Sequence, residues 1–250
     1  MKNITSEIES NFERYFEQLS REFIKCTSEL ATSKLRYKES YTRIVAINAW
    51  RETILIPHCD KGAESFFREA HNDIISSHSL ARQGSWRVSL MSLRSFIENT
   101  LFGLYYMDHK IELQLWELGK HRLGFSETLN YLNEHPNIRN KDIMTSVLAE
   151  LKEEYSTLSK AVHGSSNNFR MSNDGKVFGV SSLDKAKLGA WLTRERAVLN
   201  CINTIFIAFF YDYLCGAQNL SLRKIISLSI RNNMYSQIKN SFNVNLTFNN

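Results

Sequence analysis

Residues 198–215 read VLNCINTIFIAFFYDYLC, an apolar run about as long as a membrane span. Its reading decides the fold. Asn200, Asn203 and Asp212 interrupt the run, and an unpaired Asp in lipid costs a few kcal/mol. The stretch therefore reads as a helix buried in a protein core, and residues 183–214 as one or two long helices at the centre of that core. Phe206, Phe209, Phe210, Tyr211 and Tyr213 fall within it at helical spacing, as core residues rather than a platform for bases. With only 2 Pro and 10 Gly in 250 residues, the chain lacks the frequent breakers that a sandwich or a many-stranded barrel needs. A hydrophobic fraction of 43% against 23% charged excludes a disordered or collagen-like chain. The expectation is an all-α fold, a single helical bundle of about eight helices.

The same periodicity organises the rest. In residues 1–40, Ile4, Ile8, Phe12, Tyr15, Phe16, Leu19, Phe23 and Ile24 recur at three and four, which makes an amphipathic N-terminal helix. Its other face carries Glu7, Glu9, Glu13, Arg14, Glu17, Arg21 and Glu22, so it is solvated or faces a partner. A polar break over 32–42 precedes a bundle spanning residues 41–240. Within the bundle the spacing predicts helices at 44–56, an apolar and β-branched stretch ended by Pro57 that favours helix over strand, at 63–80 and 86–106 on either side of Gly84, and at 111–118, 126–132 and 141–162. A loop or small hairpin is expected over 169–180, around Asn173-Asp174-Gly175. One basic helix over 220–238 and an Asn-rich tail, 241–250, that frays or packs loosely complete the chain.

Composition narrows the chemistry. Lys and Arg exceed Asp and Glu by 31 to 26, a net charge of +5, which permits a nucleic-acid partner without marking one. Cys26, Cys59, Cys201 and Cys215 show no CxxC spacing, so reduced thiols in a cytoplasmic protein are expected rather than a zinc ribbon or a disulfide framework. No apolar leader opens the chain, and phosphate-loop, dinucleotide, zincin and hydrolase motifs are missing. Neither a metal nor a cofactor is expected.

Two patches put polar groups where a core should be. Over residues 69–98, EAHNDIISSHSLARQGSWRVSLMSLRSFIE, charges sit inside two otherwise apolar helices, where burying them unpaired costs several kcal/mol. Arg87, Arg94 and Glu98 share one face of the second helix, and His78 and Arg82 are one turn apart on the first. Packed antiparallel, the helices would let these groups converge. Two arginines beside a histidine suit a phosphodiester, with guanidinium forks on phosphate oxygens and an imidazole to move a proton. The same residues also describe an Arg94–Glu98 pair that staples the bundle. In the second patch His163 ends a helix, four residues after Ser159 and one before Gly164. It reads as an acid/base beside a substrate-holding loop that includes Arg170, or as a C-capping histidine before a Gly break.

The phrase Tyr155-x-x-Leu158-Ser159-x-x-Val162-His163-Gly164-Ser165, downstream of SLRSFIE at 92–98, resembles the HEPN superfamily, in whose divergent branches such a phrase recurs. The likeness covers residues 69–170 of a HEPN-like core expected over 62–215. It implies a helical bundle, often dimeric, and in many members a metal-independent ribonuclease of bacterial toxin–antitoxin and antiphage systems. The usual mark of the family is an arginine, a polar residue, then a histidine four to six residues after the arginine. His163 matches the histidine and Ser159 the polar position, whereas Ser156, Thr157 and Leu158 stand where the arginine is usual. Arg87 or Arg94 would then supply the cation from another helix.

Two functions are carried forward. In the first, the RNA 2′-hydroxyl attacks the adjacent phosphate with His163 as acid/base and Arg87 and Arg94 steadying the charge. Ser159 would orient the imidazole, and Arg170, His78, Arg82 and Glu98 would line the substrate side. In the second, the protein is a non-catalytic adaptor that docks a protein through residues 4–30. The partners expected are RNA, a protein encoded nearby or a second copy of the chain, and no membrane.

Overall fold

The computed structural model describes residues 4–165, 169, 172–173, 176–177 and 183–248. In chain order its helices are α1 (Ile4–Leu30), α2 (Lys34–Trp50), the single turn α3 (Ile56–His58), α4 (Lys61–Arg82), α5 (Trp86–Asp108), α6 (Lys110–Glu117), α7 (Phe125–Glu134), α8 (Asp142–His163), α9 (Lys185–Phe210), α10 (Leu220–Ser227) and α11 (Tyr235–Phe242). Within the 169–180 stretch, where a loop or small hairpin is expected, β1 (Ser172–Asn173) pairs antiparallel with β2 (Lys176–Val177), and the residues between them lie outside the described set. The fold is an all-α bundle.

Helix α9 is its axis. Asp184 Oδ1 accepts the amides of Ala186 (2.9 Å) and Lys187 (3.0 Å) and so starts the helix. Beyond Leu188 nearly every face is buried, as a helix that is apolar all round requires. The polar interruptions of the run all have an account. Trp50 Nε1 donates to Asn203 Oδ1 at 2.9 Å, and Asn203 Nδ2 donates to the Leu199 carbonyl at 2.7 Å. The Arg231 amide donates to Asn200 Oδ1 at 2.9 Å. Asp212 lies past the helix end, exposed in the turn Tyr211–Tyr213. Among the described residues no helix is long and apolar enough to cross a membrane.

Helices α4 and α5 form an antiparallel pair joined at Gly84, whose φ of 74° suits a residue without a Cβ. Small residues let them approach closely. Ser77 Oγ donates to the Ser89 carbonyl (2.9 Å) and Ser89 Oγ returns a bond to the Ser77 carbonyl (2.8 Å). Gly103 lies flat against Phe67, where a Cβ would come within 2.8 Å of the ring. Helix α5 packs on α8, while α8 and α2 pack on α9.

Three boundaries depart from expectation. The break after α1 shrinks to one tight turn, Ala31–Ser33, and α2 starts at Lys34. Near Pro57, which has no N–H and crowds the preceding turn, the chain widens into a π turn over Arg51–Leu55, in which the Ile56 amide reaches the Arg51 carbonyl. The basic helix expected over 220–238 is two helices, α10 and α11, because Asn200 draws the Arg231 amide out of helical pairing. The tail is also better anchored than its composition suggests: Val244 and Leu246 are buried, and Arg223 Nη1 donates to the Asn245 carbonyl at 3.3 Å.

Candidate functional site

The sequence-derived site residues fall on two different seams. On the α5–α8 seam, Arg87 Nε donates to the Ala161 carbonyl (2.9 Å) and Nη2 to the Val162 carbonyl (2.7 Å). The guanidinium thus caps the C-terminus of α8, where the helix dipole attracts a cation. It lies one residue from His163, whose helix ends at Gly164 with φ 57°. The His163 ring is exposed and has no hydrogen bond among the described residues. Arg94 stands two turns up α5, about 10 Å away at 1.5 Å per residue. Its Nη2 donates to Glu98 Oε1 (2.8 Å) and to the Tyr155 hydroxyl (2.7 Å), which in turn donates to Glu98 Oε1 (2.7 Å). Burial, and then the bond to Glu98, raise the Tyr155 phenol above its ordinary range. Phe125 stacks on the Tyr155 ring at 3.6 Å. Ser159 Oγ donates to the Tyr155 carbonyl (2.8 Å), an internal helix bond, and does not orient His163. Of the expected set, the structure brings Arg87 to the helix end of His163 and Arg94 to Glu98. Arg170 lies outside the described residues.

His78 and Arg82 belong to the other seam, where α4 meets α2 and α9. The structure does not bring His78 to the arginines of α5. His78 Nδ1 lies 2.9 Å from Ser40 Oγ, Ser40 Oγ donates to Glu195 Oε1 (3.0 Å), and Arg43 Nε donates to Glu195 Oε2 (2.8 Å). Since the Ser40 proton goes to Glu195, Nδ1 of His78 is left as the donor to Ser40. Burial, then Arg82 and Arg43, hold this imidazole below its ordinary value. Glu195 is fully buried and Arg43 nearly so; burial raises the Glu195 carboxyl against the pull of Arg43 and Ser40. Sequence reasoning missed this pair. Its signal was a charged residue on each apolar stripe, Arg43 among Ser40, Ile44 and Ile47, and Glu195 among Trp191, Leu192 and Val198. Among the described residues no three His, Cys, Asp or Glu side chains gather as a metal would require.

Helix α1 offers a third feature. Of its 27 residues only Cys26 and Leu30 are buried. Ile4, Phe12 and Phe16 are 73%, 56% and 57% exposed, and Ile8, Tyr15 and Phe23 are exposed with them. At 3.6 residues per turn these side chains make one stripe, with Glu9 and Glu13 along one edge and Glu7, Glu22, Lys25 and Glu29 along the other. The helix carries three basic against six acidic residues, a charge of −3, which leaves +8 for the rest of a chain whose total is +5. Comparison with protein-family models, curated proteins and solved structures finds no match for this chain.

Proposed function

We propose that this protein is a non-catalytic helical interaction module that holds a partner protein on α1. The observation that carries the reading is the exposed apolar stripe of α1, which water disfavours unless something covers it. The acidic edges select the occupant. Helices that lie in a membrane surface set Lys and Arg beside their apolar face, whereas here the edges hold Glu7, Glu9, Glu13, Glu22 and Glu29 against the single basic residue Lys25. Anionic lipid and RNA repel such edges, and two copies of α1 would set acid against acid. The fitting partner is a protein with an apolar groove rimmed by Lys or Arg, which takes the helix lengthwise. The engagement of Arg87, Arg94, Ser159 and Glu98 in bonds within the bundle supports the same reading.

The test compares the full chain with Phe12→Glu/Phe16→Glu, a change confined to exposed positions. A partner recovered from the native cell is identified, purified and recombined with each protein, and cross-links from Lys25 are mapped. The expected result is a stoichiometric complex that cross-links at Lys25 and is lost in the variant, with the melting temperature unchanged. Self-association of the chain alone, or binding to anionic vesicles, that disappears in the same variant would overturn the assignment.

A second reading, RNA binding or metal-independent RNA cleavage in a toxin–antitoxin or antiphage setting, is favoured by one contact: Arg87 is held against the helix end that carries His163. It requires that cleavage of total RNA in EDTA vanish in His163→Ala and Arg94→Ala while folding persists. Undiminished cleavage in His163→Ala would remove it.

A further inference from the structure

A cavity of about 250 Å³ opens between α2, α9 and the segment joining α10 to α11, away from the α5–α8 seam and sharing with the other seam only Arg43. Its lining includes Glu39, Thr42, Arg43, Arg196, Ser229 and Arg231. Three observations bear on what it holds. Ser229 is 5% exposed, yet its hydroxyl finds no hydrogen-bond partner among the described residues, a state that folded proteins avoid because the group has given up water for nothing. Arg196 is exposed and makes no hydrogen bond or ion pair among the described residues. The walls, in contrast, are fixed: Arg43 is clamped by Glu195 at 2.6 Å, Arg231 binds Glu150 through both terminal nitrogens (2.9 and 2.5 Å), and the Arg231 amide is tied to Asn200.

We propose that this cavity binds a small phosphate-bearing molecule, with Arg196 closing over it as the free guanidinium and the Ser229 hydroxyl donating from the floor. Three guanidinium groups face a single lining carboxylate, Glu39. Because Glu195 and Glu150 already answer the charges of Arg43 and Arg231, the uncompensated positive charge is that of Arg196, and the other two guanidinium groups offer the N–H donors their carboxylates leave unused. A phosphate, whose several oxygens accept hydrogen bonds at once, is the group that uses all three. Donors arriving from α2, α9 and the α10–α11 segment also surround a tetrahedral group better than a planar one. The volume, about 250 Å³, is a little below the range of small-molecule pockets, which starts at about 300 Å³, and so suits a small phosphate ester rather than a nucleic-acid chain.

Thermal melts at constant ionic strength test this on the full chain, with inorganic phosphate in one arm and AMP in the other. The variants are Arg196→Ala, at an exposed position, and Ser229→Ala, which removes an unsatisfied hydroxyl and so leaves the empty protein at least as stable. Phosphate or AMP is expected to raise the melting temperature by ligand linkage. The rise is lost in Arg196→Ala, and affinity falls about tenfold in Ser229→Ala. A response to phosphate alone assigns the free ion, and a stronger response to AMP assigns the phosphoryl end of a nucleotide. No rise with either probe, or an equal rise in all three proteins, overturns the proposal.

Discussion

Arg43 and Glu195 place a complete ion pair inside the bundle, and its value lies in being complete. Removing one partner by Glu195→Ala leaves a guanidinium buried and unpaired, which costs about 3–5 kcal/mol. Replacing both, Arg43→Met with Glu195→Leu, removes both charges while Ser40 keeps His78 as its neighbour. Urea titrations should find the single variant strongly destabilised and the double variant close to the parent or above it. His71 sets a pH limit of a different kind. Its Nδ1 accepts from Arg51 Nη1 at 2.8 Å, and burial, then Arg51, hold the imidazole below the ordinary value of 6.5 while Glu52 pulls the other way. On acidification the unfolded chain takes up this proton first. The stabilisation is therefore full above 6.5 and is lost as the pH falls toward the lowered value of the folded state. His71→Asn retains an acceptor for Arg51 and should flatten the decline in melting temperature between neutral pH and about pH 5.

At the scale of elements, the α4–α5 pair is fixed by what is missing from it. A methyl at Gly103 would meet the Phe67 ring at 2.8 Å. Gly103→Ala should therefore cost about 1–3 kcal/mol despite the better helix propensity of Ala, and Phe67→Leu in the same chain should recover part of that in a denaturant titration. The first five turns of α1 behave oppositely: no residue of α1 before Cys26 is buried, so removing residues 1–21 should leave the melting temperature of the bundle unchanged. Most elements were legible because apolar residues at three and four, Asp or Gly at the ends and the rarity of Pro all gave the same answer. The π turn before Pro57 and the division of the last helix were not. Each depends on a partner distant in sequence or on a backbone choice that periodicity does not encode, Asn200 for the second.

For the whole molecule, the site was legible in part. Sequence spacing put Arg94 beside Glu98 and the apolar stripe on α1, because both depend only on neighbours along one helix. It could not put His78 with Ser40, or Arg43 with Glu195, because those contacts are decided by which helix faces which. The molecule that results is a bundle that buries the Arg43–Glu195 ion pair, with an acidic, apolar-striped helix joined to a body of opposite charge. Amide hydrogen exchange across α1 and α9 tests the central claim most directly, first on the chain alone and then on its reconstituted complex. The account predicts that amides of residues 4–23 exchange far faster than those of α9 in the free chain, and slow at least about tenfold when the partner is bound. Protection of α1 already present in the dilute chain alone, or no change in α1 when the complex forms, would contradict it.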